Sequence, residues 1–302
     1  MAFAILVVLW SSIFNGIFFS ALQATKLVLL LSIAYLFYKK NLNKLILLAD
    51  AFLIALIYAL FFDGFLLANH MPANAIVDGL WQAHNENIPW IFLSTSMLVY
   101  WFFSSHSRLV FVLLLYLCLF FLNQAEVSRA SMVLVLCVCS SILFPRITVQ
   151  NEIFSKILIK AVVILSWLTI CLVIVGVMFA NLDSTFFPAP LSVLDTYSSK
   201  RVYYILDATT IETVGGLGFV RVKPFDSIVW EVIFVAGPSL WIIFYRAVKN
   251  IFSKIRENKR QCLLIGFVGL FGLVEGVVLK ITPATILVIS LLLASEAEKK
   301  NA

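Results

Sequence analysis

Long apolar runs recur along almost the whole chain, and they constrain its fold more than any other feature. Of the 302 residues, 62% are hydrophobic and only 13% are charged, whereas a soluble domain is typically about half apolar and a quarter charged. The runs are continuous rather than alternating, which favours helices over a transmembrane barrel. We therefore expect an all-α polytopic membrane protein.

The runs predict about ten transmembrane helices in one integral membrane domain, residues 1–302. Most of the 22 Lys and Arg residues fall on the side of the membrane that holds KKNLNK (39–44), and basic residues collect on the cytoplasmic side. We expect both termini in the cytoplasm and one large outer loop at about 182–227. The approximate helix limits are 2–19, 24–38, 45–66, 89–104, 108–122, 129–145, 157–181, 228–247, 261–279 and 283–295.

Charge and cysteine content exclude several classes of function. The formal charge of +6 reflects the cytoplasmic bias of basic residues, so no nucleic-acid partner is expected. The cysteines all lie inside apolar runs, so we expect small buried side chains without a disulfide or a metal site. No cofactor is predicted. The five cysteines are Cys118, Cys137, Cys139, Cys171 and Cys262.

The outer loop contains a polar segment, SSKRVYYILDATTIETVGGLGFVRVKPFDSIVWE (198–231). Its clustered glycines permit positive φ and a close approach of the backbone to a ligand, although an ordinary surface loop is an equal alternative. Asp226, at the end of the loop, is placed to cap a helix. Glu231 follows about one turn later, where a carboxylate in an apolar segment usually faces a cavity or a partner.

Two other charged residues interrupt apolar sequence. Arg129 begins a predicted helix that Ser128 could cap, and it is either a snorkelling arginine or an anion-binding one. Asp50 lies inside a predicted helix, where it is either functional or simply a hydrogen-bonding group. The segment AHNENIPW, before another predicted helix, contains Asn85 and Asn87. On their own these two residues indicate only a polar loop.

The order of these motifs resembles that of the O-antigen ligase and Wzy-type polymerase superfamily of bacterial envelope enzymes. The matching elements are NEN (85–87), SR (128–129), KRVYYI (200–205), GGLGF (215–219) and FDSIVWEVIFVAGPSLWIIFY (225–245). Ligases of this family usually have His-Asn where this chain has Phe225-Asp226, which favours a polymerase. The alternatives are an O-antigen ligase and, from another class, a transporter or flippase of lipid-linked sugars.

The resemblance implies polymerisation of undecaprenyl-pyrophosphate-linked oligosaccharide repeat units at the periplasmic face of a bacterial inner membrane. Arg129 and Arg201 would bind the leaving pyrophosphate, and Asp226 would be the base, with Asp207 and Glu231 as alternatives. The expected partners are the lipid-linked oligosaccharide and membrane lipid, with a chain-length regulator as a further candidate. The candidate substrate-binding residues are Asn85, Asn87, Lys200, Tyr204, Gly216, Gly218, Arg221 and Glu231.

Overall fold

The computed structural model describes residues 17–62, 88–122, 128–149, 152–179, 259–274 and 282–300. These residues form eight α-helices and one short 3-10 helix, so the expected all-α character is confirmed for this part of the chain. The helices are α1 (Ile17–Lys40), the 3-10 helix (Leu42–Lys44), α2 (Leu45–Phe62), α3 (Ile88–Phe102), α4 (His106–Leu122), α5 (Arg129–Leu143), α6 (Glu152–Phe179), α7 (Lys259–Val274) and α8 (Pro283–Lys300).

The limits of most described helices lie close to the predicted ones, but the break predicted between the first two helices is wrong. A break was expected between 19 and 24, whereas α1 continues from Ile17 to Lys40. The intervening SALQ contains no Gly or Pro, and Ala, Leu and Gln are good helix formers, so the polar residues do not end the helix. The predicted helix 228–247 and the outer loop 182–227 lie outside the described residues.

The prediction of about ten transmembrane helices is contradicted. Across the described ranges, no helix has both the length and the hydropathy that a bilayer crossing requires. A spanning helix needs about 20 apolar residues, whereas α3 and α5 have 15 residues each. The longer α6 begins with the charged sequence EIFSKILIK. An apolar run can instead belong to a helix that other helices bury, and α3 is such a helix.

The chain divides into two compact units. The first comprises Met1–Val28, Lys160–Asn250 and Gly272–Gly276, and the second comprises Leu29–Ile159, Ile251–Phe271 and Val277–Ala302. In the first unit the structure describes mainly the beginning of α1 and the C-terminal part of α6. All the side-chain clusters discussed below belong to the second unit. The prediction of a single domain stays a prediction.

Helix α3 lies at the centre of the second unit, with α2, α4, α5 and α8 packed against it. Its side chains from Trp90 to Trp101 are buried, apart from the half-buried Phe92. Phe92 stacks on Phe52 of α2 with ring centroids 5.2 Å apart, and Trp90 meets Tyr116 of α4 edge-on at 5.1 Å. A helix that is apolar on every side must be covered by neighbours, and these contacts provide that cover.

Two buried hydroxyl groups in α3 are bonded within the helix. Ser94 Oγ donates to the Trp90 carbonyl at 2.8 Å, and Thr95 Oγ1 donates to the Ile91 carbonyl at 2.7 Å. Bonds of this kind satisfy polar atoms that burial would otherwise leave without water. Ser96 Oγ, by contrast, is buried without a hydrogen-bond partner among the described residues, so burial of STS at 94–96 leaves one of its three hydroxyl groups unsatisfied.

The outer faces of several helices remain apolar. Large hydrophobic side chains are more than half exposed on α2, α4, α5 and α6, among them Ile54, Phe121, Leu143 and Ile153. Contiguous exposed apolar surface marks contact with another protein or with lipid.

The prediction of five buried cysteines is correct for only one of them. Cys262 is buried, Cys137 and Cys139 are half-buried, and Cys118 and Cys171 are exposed. Because cysteine is small and apolar, it fits the outer faces of these apolar helices as readily as their core. None of the five forms a disulfide.

Candidate functional site

Two clusters of charged and polar side chains lie at the tight turn that joins α3 to α4. The Ser105 N–H donates to the Tyr100 carbonyl at 2.9 Å, and the Ser104 N–H donates to the Trp101 carbonyl at 3.1 Å. This pair of bonds forms a Schellman motif, which ends a helix and usually places glycine in the left-handed position. Here Ser104 occupies that position with a φ of 56°. A left-handed conformation costs a residue with a Cβ roughly 1–2 kcal/mol.

The first cluster at this turn is centred on Asp50 of α2. Arg108, in the first turn of α4, directs its Nε to both carboxylate oxygens of Asp50, at 3.0 and 3.1 Å. The hydroxyl of Tyr100 donates to Asp50 Oδ1 at 2.8 Å. Asp50 thereby joins α2, α3 and α4, and its interpretation as a hydrogen-bonding group is confirmed. Burial and the bond to Asp50 raise the pKa of Tyr100 well above its ordinary value of 10.0.

The second cluster is centred on Arg260, the second residue of α7. Its Nη1 donates to Ser104 Oγ at 2.7 Å, and its Nη2 donates to the Trp101 carbonyl. The guanidinium carbon lies 5.2 Å from the centroid of the Trp101 ring, within the range of a cation–π contact. Burial lowers the pKa of Arg260 from its ordinary value.

His106, at the start of α4, is the titratable side chain beside this second cluster. Its Nδ1 lies 2.8 Å from the Ser104 carbonyl oxygen. Because a carbonyl only accepts hydrogen bonds, Nδ1 carries the proton and Nε2 is the other nitrogen of the ring that can meet a ligand. The backbone N–H of His106 donates to the same oxygen at 3.0 Å. The turn therefore holds the imidazole at a fixed position.

The start of α5 confirms the helix cap that was predicted at Ser128. The helix begins at Arg129, and the Ser128 side chain accepts from the Ser131 N–H. Ser131 in turn donates its hydroxyl to the Ser128 carbonyl at 2.7 Å. Its Oγ also lies 3.0 Å from the Tyr116 hydroxyl of α4. The predicted cap at Ser128 is therefore present, and it fixes the backbone from which Arg129 projects.

The other residues predicted for the site are not placed by the structure. Arg129 is described only as the first residue of α5, and the structure gives no account of its side chain. The remaining predictions, which also include the two alternative bases, lie outside the described residues: Asn85, Asn87, Lys200, Arg201, Tyr204, Asp207, Gly216, Gly218, Arg221, Asp226 and Glu231.

Sequence reasoning missed both arginine clusters. Arg108 and Arg260 counted only as basic residues at helix ends, and His106 belonged to no motif. Their partners are far away in sequence, 58 residues from Arg108 to Asp50 and 156 from Arg260 to Ser104. The polar break SSHSR (104–108) between two apolar runs was the only local signal.

Comparison with known proteins identifies no family for this chain. No protein-family model, curated protein or solved structure matches it. The resemblance to O-antigen ligases and polymerases therefore stays a prediction from motif order. Within the described part of the chain, no three His, Cys, Asp or Glu side chains are grouped as a metal ion would require.

Proposed function

We propose that the chain is a glycosyltransferase that polymerises oligosaccharide repeat units carried on undecaprenyl pyrophosphate. The order of five sequence motifs supports this function. The backbone of one of these motifs, Ser128-Arg129, is described: Arg129 begins α5 directly after the capping residue Ser128. That helix start is the observation that carries the proposal, since a capped helix holds its first side chain on a fixed backbone.

The proposed chemistry follows from the charge of the leaving group. The bond between the donor sugar and pyrophosphate breaks, and a new glycosidic bond forms to a hydroxyl of the acceptor repeat unit. Arg129 and Arg201 would bind the departing pyrophosphate through paired N–H donors, and fixed positive charge stabilises the charge that develops on it. Asp226 would accept the proton of the acceptor hydroxyl.

A reaction on a lipid-linked donor requires access to lipid. The exposed apolar side chains on the described helices suit a protein that works against lipid. We therefore propose the bacterial inner membrane as its location, with membrane lipid and a chain-length regulator as partners. Phe225 stands where ligases of the family usually have His, which disfavours a ligase. The sequence shows no internal repeat of the kind found in many transporters.

Replacing the two arginines tests the proposal. We expect Arg129→Ala and Arg201→Ala each to abolish polymer formation in cells while the protein still accumulates. Lysine at either position should also fail, because it lacks the planar fork that binds phosphate bidentately. Arg146→Ala, an exposed position beyond α5, is the control and should leave polymer length unchanged. Wild-type polymer from both Arg129→Ala and Arg201→Ala would refute the assignment.

One substitution distinguishes a proton-accepting role of Asp226 from a role as a helix cap. Asparagine caps a helix about as well as aspartate, but it cannot accept a proton. We expect Asp226→Asn to accumulate normally and to lose about 10²-fold or more of its activity on purified lipid-linked repeat units. Near-normal turnover would make Asp226 a structural cap and would transfer the proton-accepting role to Asp207 or Glu231.

A further inference from the structure

Tyr116 of α4 is in contact with the starts of two other helices. Its ring meets the ring of Trp90, the third residue of α3, edge-on with centroids 5.1 Å apart. Its hydroxyl lies 3.0 Å from the hydroxyl of Ser131, the third residue of α5. Asn87 directly precedes α3 in the sequence, and Arg129 is the first residue of α5. One tyrosine therefore supports both the helix that follows NEN and the helix that begins within SR.

The hydrogen bonds that lead from Tyr116 to the start of α5 have a defined direction. Ser131 donates its single hydroxyl proton to the Ser128 carbonyl at 2.7 Å, so the Ser131 oxygen accepts from Tyr116 and the tyrosine is the donor. The same carbonyl accepts the first bond of the helix, from the Met132 N–H at 3.1 Å. Because this carbonyl belongs to the peptide group that links Ser128 to Arg129, the chain of bonds ends on the backbone of the SR motif.

Burial makes this chain of bonds hard to replace by water. Tyr116 is 3% exposed, Ser131 0% and Ser128 4%, and a buried group that loses its partner has no solvent to bond instead. The capping bond from the Ser131 N–H to Ser128 Oγ is long, at 3.4 Å, whereas the Ser131 hydroxyl bond is short. The hydroxyl chain is therefore the firmer of the two restraints on the start of α5.

We propose that Tyr116 is a positioning residue for Arg129. Through Ser131 it fixes the peptide group before Arg129, and so fixes the backbone that carries the arginine proposed to bind the leaving pyrophosphate. A guanidinium binds phosphate oxygens in paired, directional bonds, and a small displacement of such a group costs much of its effect. This inference rests on the proposed function, and it adds a residue that none of the sequence motifs contains.

Inorganic pyrophosphate is a suitable probe, because it represents the leaving group and requires no glycan. The full-length protein, kept in solution by an uncharged amphipathic polymer, is titrated by calorimetry, and the polymer alone provides the blank. We expect saturable binding that Arg129→Ala weakens at least about tenfold, as for loss of a charge-assisted hydrogen bond. Tyr116→Phe keeps the ring on Trp90 but removes the hydroxyl, and it should weaken binding about three- to tenfold.

Tyr100→Phe is the matched control. Tyr100 is also a buried tyrosine, and its hydroxyl donates to Asp50 near the other end of α3. Tyr100→Phe should lower the urea midpoint as Tyr116→Phe does, but it should leave the affinity for pyrophosphate unchanged. Tyr116→Phe should have no further effect on this affinity when Arg129 is already alanine, because Tyr116 acts only through that residue. If Tyr116→Phe loses its helical circular dichroism, Ser131→Ala, which interrupts the same chain of bonds, replaces it.

The outcomes separate this inference from the proposed function. Wild-type affinity in Tyr116→Phe, an equal loss in Tyr100→Phe, or a further loss when Tyr116→Phe is added to Arg129→Ala would overturn the positioning role and leave the role of Arg129 intact. Undiminished affinity in Arg129→Ala, or no saturable binding of pyrophosphate to the wild type, would overturn both.

Discussion

Arg108 and Arg260 flank the same turn, yet they are held by different partners. Arg108 lies against the carboxylate of Asp50, and its side chain is 45% exposed. Arg260 is half-buried, stacks on Trp101 and donates to a hydroxyl and a carbonyl. The comparison teaches that two arginines at one turn can each join distant segments of the chain, one through a carboxylate and the other through a hydroxyl, a carbonyl and an aromatic ring.

Removing the carboxylate of Asp50 should have the largest effect, because Asp50 is the centre of the first cluster. Asp50→Ala leaves the buried Tyr100 hydroxyl without its acceptor, and we expect a loss of about 1–3 kcal/mol in the free energy of unfolding. The double variant Asp50→Ala/Tyr100→Phe should recover part of that loss, because it removes the stranded hydroxyl as well. Urea denaturation followed by circular dichroism measures both values. The loss caused by Asp50→Ala should add to that caused by Arg260→Gln, and a clearly non-additive double variant would merge the two clusters into one.

The Asp50 cluster should also make the free energy of unfolding depend on pH in the alkaline range. The pKa of Tyr100 is raised in the folded protein, so the unfolded chain releases this proton first, near pH 10. The stabilising contribution of the neutral hydroxyl is therefore complete below about pH 10 and is lost as pH rises above it. Relative to Tyr100→Phe, the wild type should lose about 1.4 kcal/mol per pH unit there. A constant difference between pH 9 and 11 would show that Tyr100 ionises alike in both states.

A smaller effect should separate backbone strain from the hydroxyl contact at the turn. Ser104→Gly and Ser104→Ala both remove the hydroxyl that accepts from Arg260, but only glycine relieves the left-handed conformation. The free energy of unfolding of Ser104→Gly should therefore exceed that of Ser104→Ala by about 1 kcal/mol. Ser105→Gly is the control, because its backbone does not adopt a positive φ, and it should not exceed Ser105→Ala. Equal stability of the two Ser104 variants would show that the left-handed conformation is not strained.

The sequence predicted the parts of this structure that depend on local patterns. The cap at Ser128 and the limits of most described helices follow from neighbouring residues, and Asp50 was a candidate because a carboxylate interrupts an apolar run. The transmembrane prediction failed because hydropathy alone does not distinguish a helix buried by other helices, such as α3, from one that crosses lipid. The arginine clusters escaped notice because each depends on a contact between distant segments. No local spacing relates Arg260 to Ser104.

Double-mutant cycles test the separation of the two arginine clusters most directly. The free energy of unfolding is measured by urea denaturation for Asp50→Ala, Arg108→Gln, Ser104→Ala and Arg260→Gln, singly and in pairs. We predict a coupling of about 0.5–3 kcal/mol between Arg108 and Asp50 and between Arg260 and Ser104, and additive effects of Asp50→Ala and Arg260→Gln. Additivity within each cluster, or coupling of the same size between Asp50 and Arg260, would contradict the account.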